Sequence, residues 1–250
     1  MLELRNKTPF QAAIAPATDK DSNEFIVVVV KGSFNIKNDS QDLHVEDDQA
    51  PIVFADEYYE ESDTSSIKNV ADTAMIKHGD TVAFSGFTPA GGAKAVPAML
   101  ADHARAEHEQ GRPYRLRVLS GASSGDYIDN GLAAANAISW RAPYQGGKIL
   151  RDQINRQEVE YVDMHLSHMA QTVGAGFFGK VDVAVVEATE ITRDGRVYLS
   201  TSIGASPTWL ACADKVIIEI NHCHSQRLRE LADIFIIPAP PRRSPINVHT

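Results

Sequence analysis

The chain has 250 residues, of which 43% are hydrophobic and 23% are charged. Such values are typical of a soluble globular protein that buries a sizeable core. Its formal net charge of −9 excludes a nucleic-acid phosphate backbone as an expected partner, because that backbone is bound by clusters of lysine and arginine.

The cysteines and the apolar runs predict where the protein works. Cys212 and Cys223 form neither a CxxC pair nor a disulfide framework, which is typical of a reducing compartment. The longest apolar run is Phe25–Val30, whereas a helix that spans a bilayer needs about 20 residues. No charged leader followed by an apolar stretch opens the chain, so we expect a cytoplasmic protein without a membrane partner.

The first predicted segment, residues 1–66, is acidic and rich in β-like sequence. It holds 14 acidic against 5 basic residues, whereas residues 67–250 hold 19 of each. The runs Phe25–Phe34 and Ala50–Phe54 predict strands, and residues 57–66 resemble a polar linker. The change in charge predicts two domains, a β-rich acidic segment at 1–66 and a second domain at 67–250.

The second predicted segment alternates short apolar runs with longer stretches of helical composition. This alternation predicts βαβ units, and therefore an α/β fold with a mostly parallel sheet. Within residues 191–200, the turn sequence Arg193–Arg196 separates two β-like stretches and predicts a hairpin. The predicted strands are 81–85, 114–120, 159–163, 181–187 and 215–221, and the predicted helices are 93–109, 148–157, 166–173 and 206–214.

A glycine-rich stretch, Ser85–Gly92, follows the first strand of this α/β segment. In open α/β sheets, ligands bind beyond the carboxyl ends of strands, often on glycine-rich turns that lead into helices. Because glycine has no Cβ atom, the N–H groups of Gly86, Gly91 and Gly92 could approach a phosphate, a thioester oxygen or another anion. We predict a ligand site here, and we expect Gly86→Val to abolish binding without disturbing the fold. The alternative is a tight connection that needs positive φ angles.

Several motifs of this segment resemble the acetyl-CoA hydrolase/CoA-transferase family. The resemblance covers about residues 70–250, and the motifs occur in the family's order. They are GDTVAFSGFTPAGGAKAVP at 79–97, SGASSGD at 120–126, RAPYQ at 141–145, DMHLS at 163–167, DVAVVEA at 182–188, SIGASP at 202–207 and DIFIIPAPP at 233–241.

The resemblance implies an open, mostly parallel sheet of the CoA-transferase type and an acyl-CoA hydrolase or CoA-transferase that acts on acetate, propionate or succinate. Coenzyme A is then a substrate, and neither a resident cofactor nor a metal is implied. The implied partners are acyl-CoA, a small carboxylate, and either a second half of the enzyme or another copy of the chain.

The resemblance also places the acyl-CoA site near the Ser-Gly-Phe loop. The implied substrate-binding residues of this loop are Ser85, Gly86, Phe87, Thr88, Gly91 and Gly92. Relatives often carry a larger residue at the position of Gly92. Arg141 and Gln145 join the candidate site because RAPYQ sets a cation, a ring and an amide in one predicted loop, which suits a carboxylate or a polar group of CoA. A turn with a solvated charge is the alternative for that motif.

The family's nucleophile is a glutamate in a second half of longer enzymes, and no glutamate of this sequence matches its motif. The catalytic residue is therefore unknown, and we expect the chain to be inactive on its own. Glu187 and Glu190 follow a predicted strand. We interpret both as carboxylates that cap or pair with a neighbouring loop rather than as substitute nucleophiles.

Three other patterns have structural interpretations. Gly174–Gly179 matches GxGxxG, but a predicted helix precedes it and a strand follows, which reverses the dinucleotide fingerprint. The pair His165 and His168 and the triplet His222–His224 lack the spaced partners of a zinc site. Neither Ser85 nor Ser167 lies in a GxSxG elbow, which argues against serine-hydrolase chemistry.

Residues 1–66 resemble the start of a bacterial family associated with type VI secretion. The motifs are LELRNKTPF at 2–10, VVVKGSF at 28–34 and QAPIVFADEYY at 49–59. The join near residues 64–72 is compatible with a natural fusion, an artefact of gene prediction or an engineered chain. It leaves a second function class open, a non-catalytic interaction module or truncated fusion that docks a secretion-related partner.

Overall fold

A computed structural model describes residues 11–18, 24–31, 34–36, 43–45, 57–58, 67–69, 76–123, 126–192 and 196–230. The chain divides into two compact units. The first comprises Met1–Met75 and Ile191–Val197, and the second comprises Ile76–Glu190 and Tyr198–Thr250. The strand predicted at 50–54 and the motif at 233–241 lie outside the described residues. The boundary at residue 66 stays a prediction.

The described strands of residues 1–75 form three antiparallel pairs. These are β1 (Gln11–Thr18) with β2 (Glu24–Lys31), β3 (Phe34–Ile36) with β4 (Leu43–Val45), and β5 (Glu57–Tyr58) with β6 (Ile67–Asn69). The strand predicted from Phe25 is confirmed as β2, whose β-branched residues favour an extended backbone. The predicted linker at 57–66 is wrong at its start, because Glu57–Tyr58 forms β5.

The second unit is built on a seven-stranded sheet. Its order is β10-β9-β8-β7-β11-β12, and β13 also pairs with β11. The strands are β7 (Thr81–Phe84), β8 (Leu116–Ser123), β9 (Ile138–Gln145), β10 (Glu160–Tyr161), β11 (Val181–Ile191), β12 (Val197–Leu199) and β13 (Ala213–Ile220). The pairings β9–β10, β8–β9, β7–β8, β7–β11 and β11–β13 are all parallel. The predicted α/β fold with a mostly parallel open sheet is therefore confirmed.

Helices connect these strands, as parallel pairing requires. They are α1 (Ala95–Glu109), α2 (Gly131–Ala134), α3 (Lys148–Asn155), α4 (Leu166–Gly174) and α5 (Ser206–Cys212), with a π-helix at Asp126–Asn130 and a 3₁₀-helix at Gln226–Glu230. Between β11 and β12, the Thr192 N–H donates to the Arg196 carbonyl oxygen at 2.9 Å. These two strands are sheet neighbours, in agreement with the predicted hairpin, whose residues 193–195 lie outside the described part.

The core lies between the central strands and α1. Val82 and Phe84 of β7 and Val183 and Val185 of β11 are all completely buried, as expected for parallel strands that are covered on both faces. Helix α1 buries Pro97, Leu100, Ala101 and Ala104. Their spacing of i, i+3, i+4 and i+7 forms a single apolar stripe. Pro97 is tolerated because it lies in the first turn, where an N–H group has no partner within the helix.

The sequence interpretation was wrong about Arg141–Gln145. These residues form the second half of β9, between β8 and β10, rather than a loop. A buried charge and a proline both argue against a central strand. The structure resolves this conflict with a buried carboxylate from the π-helix, which neutralises Arg141.

None of the described helices combines the length and the apolar composition that crossing a membrane requires.

Candidate functional site

The glycine loop, defined here as Ser85–Lys94, leaves the carboxyl end of β7 and leads into α1. Its outer part is a tight turn in which the Phe87 N–H donates to the Ala90 oxygen at 2.9 Å and the Ala90 N–H donates back to the Phe87 oxygen at 3.3 Å. Thr88 adopts a φ of 57° at the tip, and its N–H donates to the Ala122 carbonyl oxygen at the end of β8. The Phe87 side chain is half exposed, so the tip of the loop is accessible.

Two glycines of this loop allow the chain to pack on itself. A Cβ atom on Gly86, whose φ is +119°, would lie 2.8 Å from the Gly92 Cα atom. On Gly91, whose φ is +63°, it would lie 2.5 Å from the Ser202 Oγ atom. On Gly92 its nearest neighbour would be 3.8 Å away. The expectation that Gly86→Val spares the fold is therefore wrong, because the added side chain would collide with the loop's own backbone. Its effect on ligand binding stays a prediction.

Neighbouring loops approach the same point. A Cβ atom on Gly121 would lie 2.7 Å from the Gly86 carbonyl oxygen, and one on Gly204 would lie 3.2 Å from it. Gly121 belongs to β8, and Gly204 lies between β12 and α5. Glycine at these positions lets three backbone segments meet at the carboxyl edge of the sheet.

Side chains bind three consecutive carbonyl oxygens of the glycine loop. Ser202 Oγ donates to the Ala90 oxygen at 2.8 Å, Ser85 Oγ to the Gly91 oxygen at 2.8 Å, and Lys94 Nζ to the Gly92 oxygen at 2.7 Å. Ser85 Oγ also accepts the Glu187 N–H at 2.9 Å. Ser85 is buried, and both hydrogen bonds assign its hydroxyl to holding the loop.

The N–H groups of the same three peptides are not engaged by these side chains. In a planar trans peptide the N–H is antiparallel to the C=O, so each of the N–H groups of Gly91, Gly92 and Ala93 faces away from the side chain that binds the carbonyl oxygen of its own peptide. Within the part of the chain that the structure describes, none of these N–H groups has a hydrogen-bond acceptor, and neither does that of Gly86. All four residues are buried. Since buried N–H groups are normally paired, this row of donors fits an anionic or polarised oxygen.

The start of α1 is already capped. One carboxylate, Glu219 on β13, accepts the N–H groups of Lys94 at 2.8 Å, Ala95 at 3.0 Å and Val96 at 3.1 Å. These are among the N–H groups that a helix leaves without intrahelical partners, and the carboxylate also complements the positive end of the helix dipole. A ligand anion would therefore meet the loop amides rather than the helix terminus.

Glu187 lies beside this cap, since it is the register partner of Glu219 on the parallel strand β11. Its side chain is completely buried and forms an ion pair with Lys94. It also accepts hydrogen bonds from Ser200 Oγ at 2.5 Å and Asn221 Nδ2 at 3.1 Å. Burial raises the pKa of Glu187, but the hydrogen bonds from Lys94, Ser200 and Asn221 outweigh it, and the pKa lies below its ordinary value. The carboxylate is therefore charged and holds the glycine loop against β11.

Glu190, the other carboxylate singled out from the sequence, lies three positions further along β11. Its Oε2 atom is 3.4 Å from Arg229 Nη1. Both glutamates thus pair with neighbouring segments, the arrangement that the sequence interpretation assumed.

The side chain of Arg141 is buried and binds other groups of the protein. Its guanidinium is fully buried, lies 3.0 Å from the Asp129 carboxylate, and donates to Ser120 Oγ at 2.6 Å and to the Tyr144 carbonyl oxygen at 2.9 Å. It also donates to the Ala142 carbonyl oxygen. These four partners fasten the end of β9 and leave the guanidinium occupied by the protein itself.

Gln145 ends β9 and has a buried Oε1 atom without a hydrogen-bond partner in the described residues. Nearby in the chain, Tyr144 is 46% exposed and lines an open cleft with Asp163, Met164, His165 and Leu166. The structure thus separates the predicted site residues into two groups. Six lie in or beside the glycine loop after β7, and Arg141 and Gln145 lie on β9, with β8 between the two strands.

Sequence reasoning missed the side chains that hold the glycine loop. Lys94 was quoted within the family motif but was given no role, although it is the only cation of Ser85–Lys94. Ser202 and Glu219 carried no local signal, because their partners lie 112 and 125 positions away in the sequence.

The glycine pattern Gly174–Gly179 and His165 take part in local structure of the fold. Gly174 ends α4, and the turn through Gly179 leads into β11, so Gly174–Gly179 is a helix-to-strand connection. The ring nitrogen of His165 accepts the Ser167 N–H at the start of α4. Over the described ranges, no three side chains of histidine, cysteine, aspartate or glutamate are grouped so as to hold a metal ion.

Comparison with known proteins gives matches along most of the chain. A family model, the acetyl-CoA hydrolase/transferase N-terminal domain, matches residues 50–248. The match begins inside the predicted first segment and before the start near residue 70 that the motifs suggested. The comparisons do not show the resemblance of residues 1–66 to a secretion-associated family, which stays a prediction.

Relatives of the chain are named as CoA-transferases or as acetyl-CoA hydrolases. A propanoyl-CoA:succinate CoA transferase of Escherichia coli is 53% identical over 174 residues, which are 70% of this chain and 35% of that protein. A succinyl-CoA:acetate CoA-transferase of Clostridium kluyveri is 43% identical over 71% of this chain and 33% of that protein. An acetyl-CoA hydrolase of Schizosaccharomyces pombe is 38% identical over 73% and 36%. The chain thus spans about a third of the length of these relatives.

Solved structures are more distant. Glutaconate coenzyme A-transferase from Acidaminococcus fermentans matches with a TM-score of 0.44 and 14% identity, over 59% of this chain and 65% of that one. RipA from Yersinia pestis matches with a TM-score of 0.44 and 19% identity, over 58% and 34%.

Proposed function

Because the chain belongs to the acetyl-CoA hydrolase/transferase family, we propose that it forms the part of an acyl-CoA hydrolase or CoA-transferase that holds the thioester or carboxylate oxygen. The names of the relatives support acetyl, propanoyl and succinyl groups as the acyl class. In this proposal coenzyme A is a substrate and not a resident cofactor, and the protein acts in the cytoplasm of a bacterium.

The observation that carries the proposal is the row of unpaired amide donors in the glycine loop. The carbonyl oxygens of Ala90, Gly91 and Gly92 are bound by side chains, while the N–H groups of Gly91, Gly92 and Ala93 have no acceptor within the described residues. Attack on a thioester develops negative charge on its oxygen, and fixed backbone donors stabilise that charge without having to reorganise. A carboxylate oxygen of the acceptor has the same requirement.

The other predicted site residues take different parts in this proposal. Phe87 and Thr88 form the exposed tip of the loop and are placed to contact the acyl group or the adjoining arm of CoA. Gln145 offers an acceptor oxygen to an amide N–H. Ser85 and Arg141 support the loop and β9 from within and do not contact the ligand, because their polar atoms already bind the protein.

Turnover needs a nucleophile in addition. We propose that a glutamate outside residues 1–250 supplies it, on the same polypeptide or on another subunit, and that it forms an acyl anhydride as the CoA thiolate leaves. Return of the thiolate to that anhydride gives a glutamyl thioester and releases the carboxylate, so that one acyl transfer becomes two easier steps.

Titration of the ¹⁵N-labelled chain with acetyl-CoA tests the site directly. We expect the amide resonances of Gly91, Gly92 and Ala93 to shift saturably, while that of Gly111, which lies in a turn at the other end of α1, stays in place. CoA without the acyl group is the matched ligand control and should shift these signals less. Saturable shifts that leave the glycine loop unaffected would overturn the proposed site.

An activity assay tests the rest of the proposal. The chain alone should show no hydrolysis of acetyl-CoA above the buffer rate. Addition of the separately expressed remainder of the Escherichia coli relative should restore CoA transfer to succinate. Robust hydrolysis by the chain alone would show that it contains its own nucleophile.

A further inference from the structure

We propose that Lys94 is a positioning residue that aims the Ala93 N–H at the ligand oxygen, an inference that rests on the proposed function. Its ammonium group donates to the Gly92 carbonyl oxygen at 2.7 Å and to the buried carboxylate of Glu187. The Lys94 side chain is 36% exposed, whereas that of Glu187 is completely buried. Lys94 therefore connects the glycine loop to a fixed point on β11.

The geometry of the peptide group turns this contact into an orientation. The Gly92 oxygen and the Ala93 N–H belong to one planar unit, so a donor that holds the oxygen sets the direction of the N–H. Ser202 and Ser85 hold the two preceding peptides in the same way. Among these three donors only Lys94 carries a charge, and a cation on the oxygen polarises the peptide and makes its N–H a stronger donor.

Glu187 fixes where the ammonium lies. Its carboxylate is held by Ser200 Oγ at 2.5 Å and by Asn221 Nδ2 at 3.1 Å, and His224 Nε2 lies 3.9 Å away. These groups come from the residues that follow β12 and β13. Together with β11, which carries Glu187, three strands therefore fix the carboxylate. A lysine side chain is flexible by itself, and the anchored carboxylate removes that freedom.

A set of variants separates orientation from stability. Lys94→Met keeps the length of the side chain but leaves Glu187 as an uncompensated buried charge, which is expected to destabilise the fold. The double variant Lys94→Met/Glu187→Gln removes both charges and should regain most of that stability, while the Gly92 oxygen stays unbound. Lys77→Met, a change at an exposed lysine outside the glycine loop, is the matched control.

Three measurements are made on the full chain: urea unfolding, the Ala93 amide resonance without ligand, and calorimetric affinity for acetyl-CoA. We expect the double variant to shift the Ala93 resonance and to bind acetyl-CoA about tenfold more weakly, the equivalent of one net hydrogen bond. Glu187→Gln keeps an oxygen for the ammonium and should lose less affinity than Lys94→Met. Lys77→Met should match the unmodified chain.

The two proposals fail in different ways. An unchanged Ala93 resonance in the double variant, or an acetyl-CoA affinity equal to that of the unmodified chain, would overturn the role of Lys94 and leave the proposed function standing. Absence of acetyl-CoA binding by the unmodified chain would instead refute the proposed function. The Ala93 resonance of Glu187→Gln, a variant in which both sequence neighbours of Ala93 are unchanged, would then still decide whether the Lys94–Glu187 pair orients the peptide.

Discussion

Alanine at Gly86 and alanine at Gly92 should have very different effects, although the same methyl group is added to the same loop. At Gly86 the new Cβ atom would lie 2.8 Å from the Gly92 Cα atom and 3.1 Å from its nitrogen, and the φ of +119° is one that L residues rarely adopt. At Gly92 the nearest atom would be 3.8 Å away, an ordinary contact.

The expected cost of Gly86→Ala follows from these two terms. A non-glycine residue in such a backbone conformation costs about 1–3 kcal/mol, and overpacking against other atoms costs about 1–3 kcal/mol. The smaller conformational entropy of the unfolded alanine chain returns about 0.4–1 kcal/mol. The free energy of unfolding should therefore fall by about 3 kcal/mol, or about 6–12 °C in melting temperature for a chain of this size. Gly92→Ala should change it by less than about 1 kcal/mol.

Urea unfolding followed by far-ultraviolet circular dichroism measures both variants beside the unmodified chain. The comparison requires equal m-values, since a changed slope would indicate a changed denatured state. If Gly86→Ala is as stable as Gly92→Ala, the glycines of this loop are not needed for backbone packing and the reasoning fails.

Three further predictions concern charged side chains that hold the fold. Arg141→Met should lower the free energy of unfolding by about 3–5 kcal/mol in urea titrations, because it removes the cation that pairs with the buried Asp129 carboxylate, yet acetyl-CoA affinity at low urea should persist. Glu219→Ala should cost about 1–2 kcal/mol through loss of the α1 cap, whereas the exposed control Glu230→Ala should cost nothing measurable. The pKa of Glu187 lies below its ordinary value of 4.5, so its carboxylate adds stability above that pH which is lost as the pH falls through the folded-state pKa. Urea titrations between about pH 5 and pH 3 should therefore show a shallower loss of stability for Glu187→Gln than for the unmodified chain, and equal slopes would contradict this assignment.

The sequence by itself determined the fold class and most of its elements. Apolar runs of strand length alternate with stretches of helical composition, and local periodicity reports such elements because each buries one face. Helix α1 shows this well, since its buried residues recur at the spacing of one helical face. The order of the family's motifs likewise identified the family before any contact was known.

Strand β9 could not be predicted in the same way. Its Arg141 and Pro143 read as loop residues. The buried Asp129 of the π-helix, 12 positions away, supplies the opposite charge that a buried arginine inside a sheet requires. Burial of an ion costs several kcal/mol unless a partner offsets it. The pairing of Arg141 with Asp129 cannot be inferred from the residues that flank Arg141 in the sequence.

The tertiary structure also decided how the glycine loop is packed. The sequence pointed to this loop and to its amides as a ligand site, which stays a prediction, but it attributed the missing side chains to the approach of a ligand, whereas Gly86 makes room for Gly92. Lys94 meets Glu187 across 93 positions, and Glu219 reaches the start of α1 across 125. Such contacts follow from the order of parallel strands, which brings the carboxyl ends of β7, β11 and β13 side by side, and local periodicity carries no information about that order.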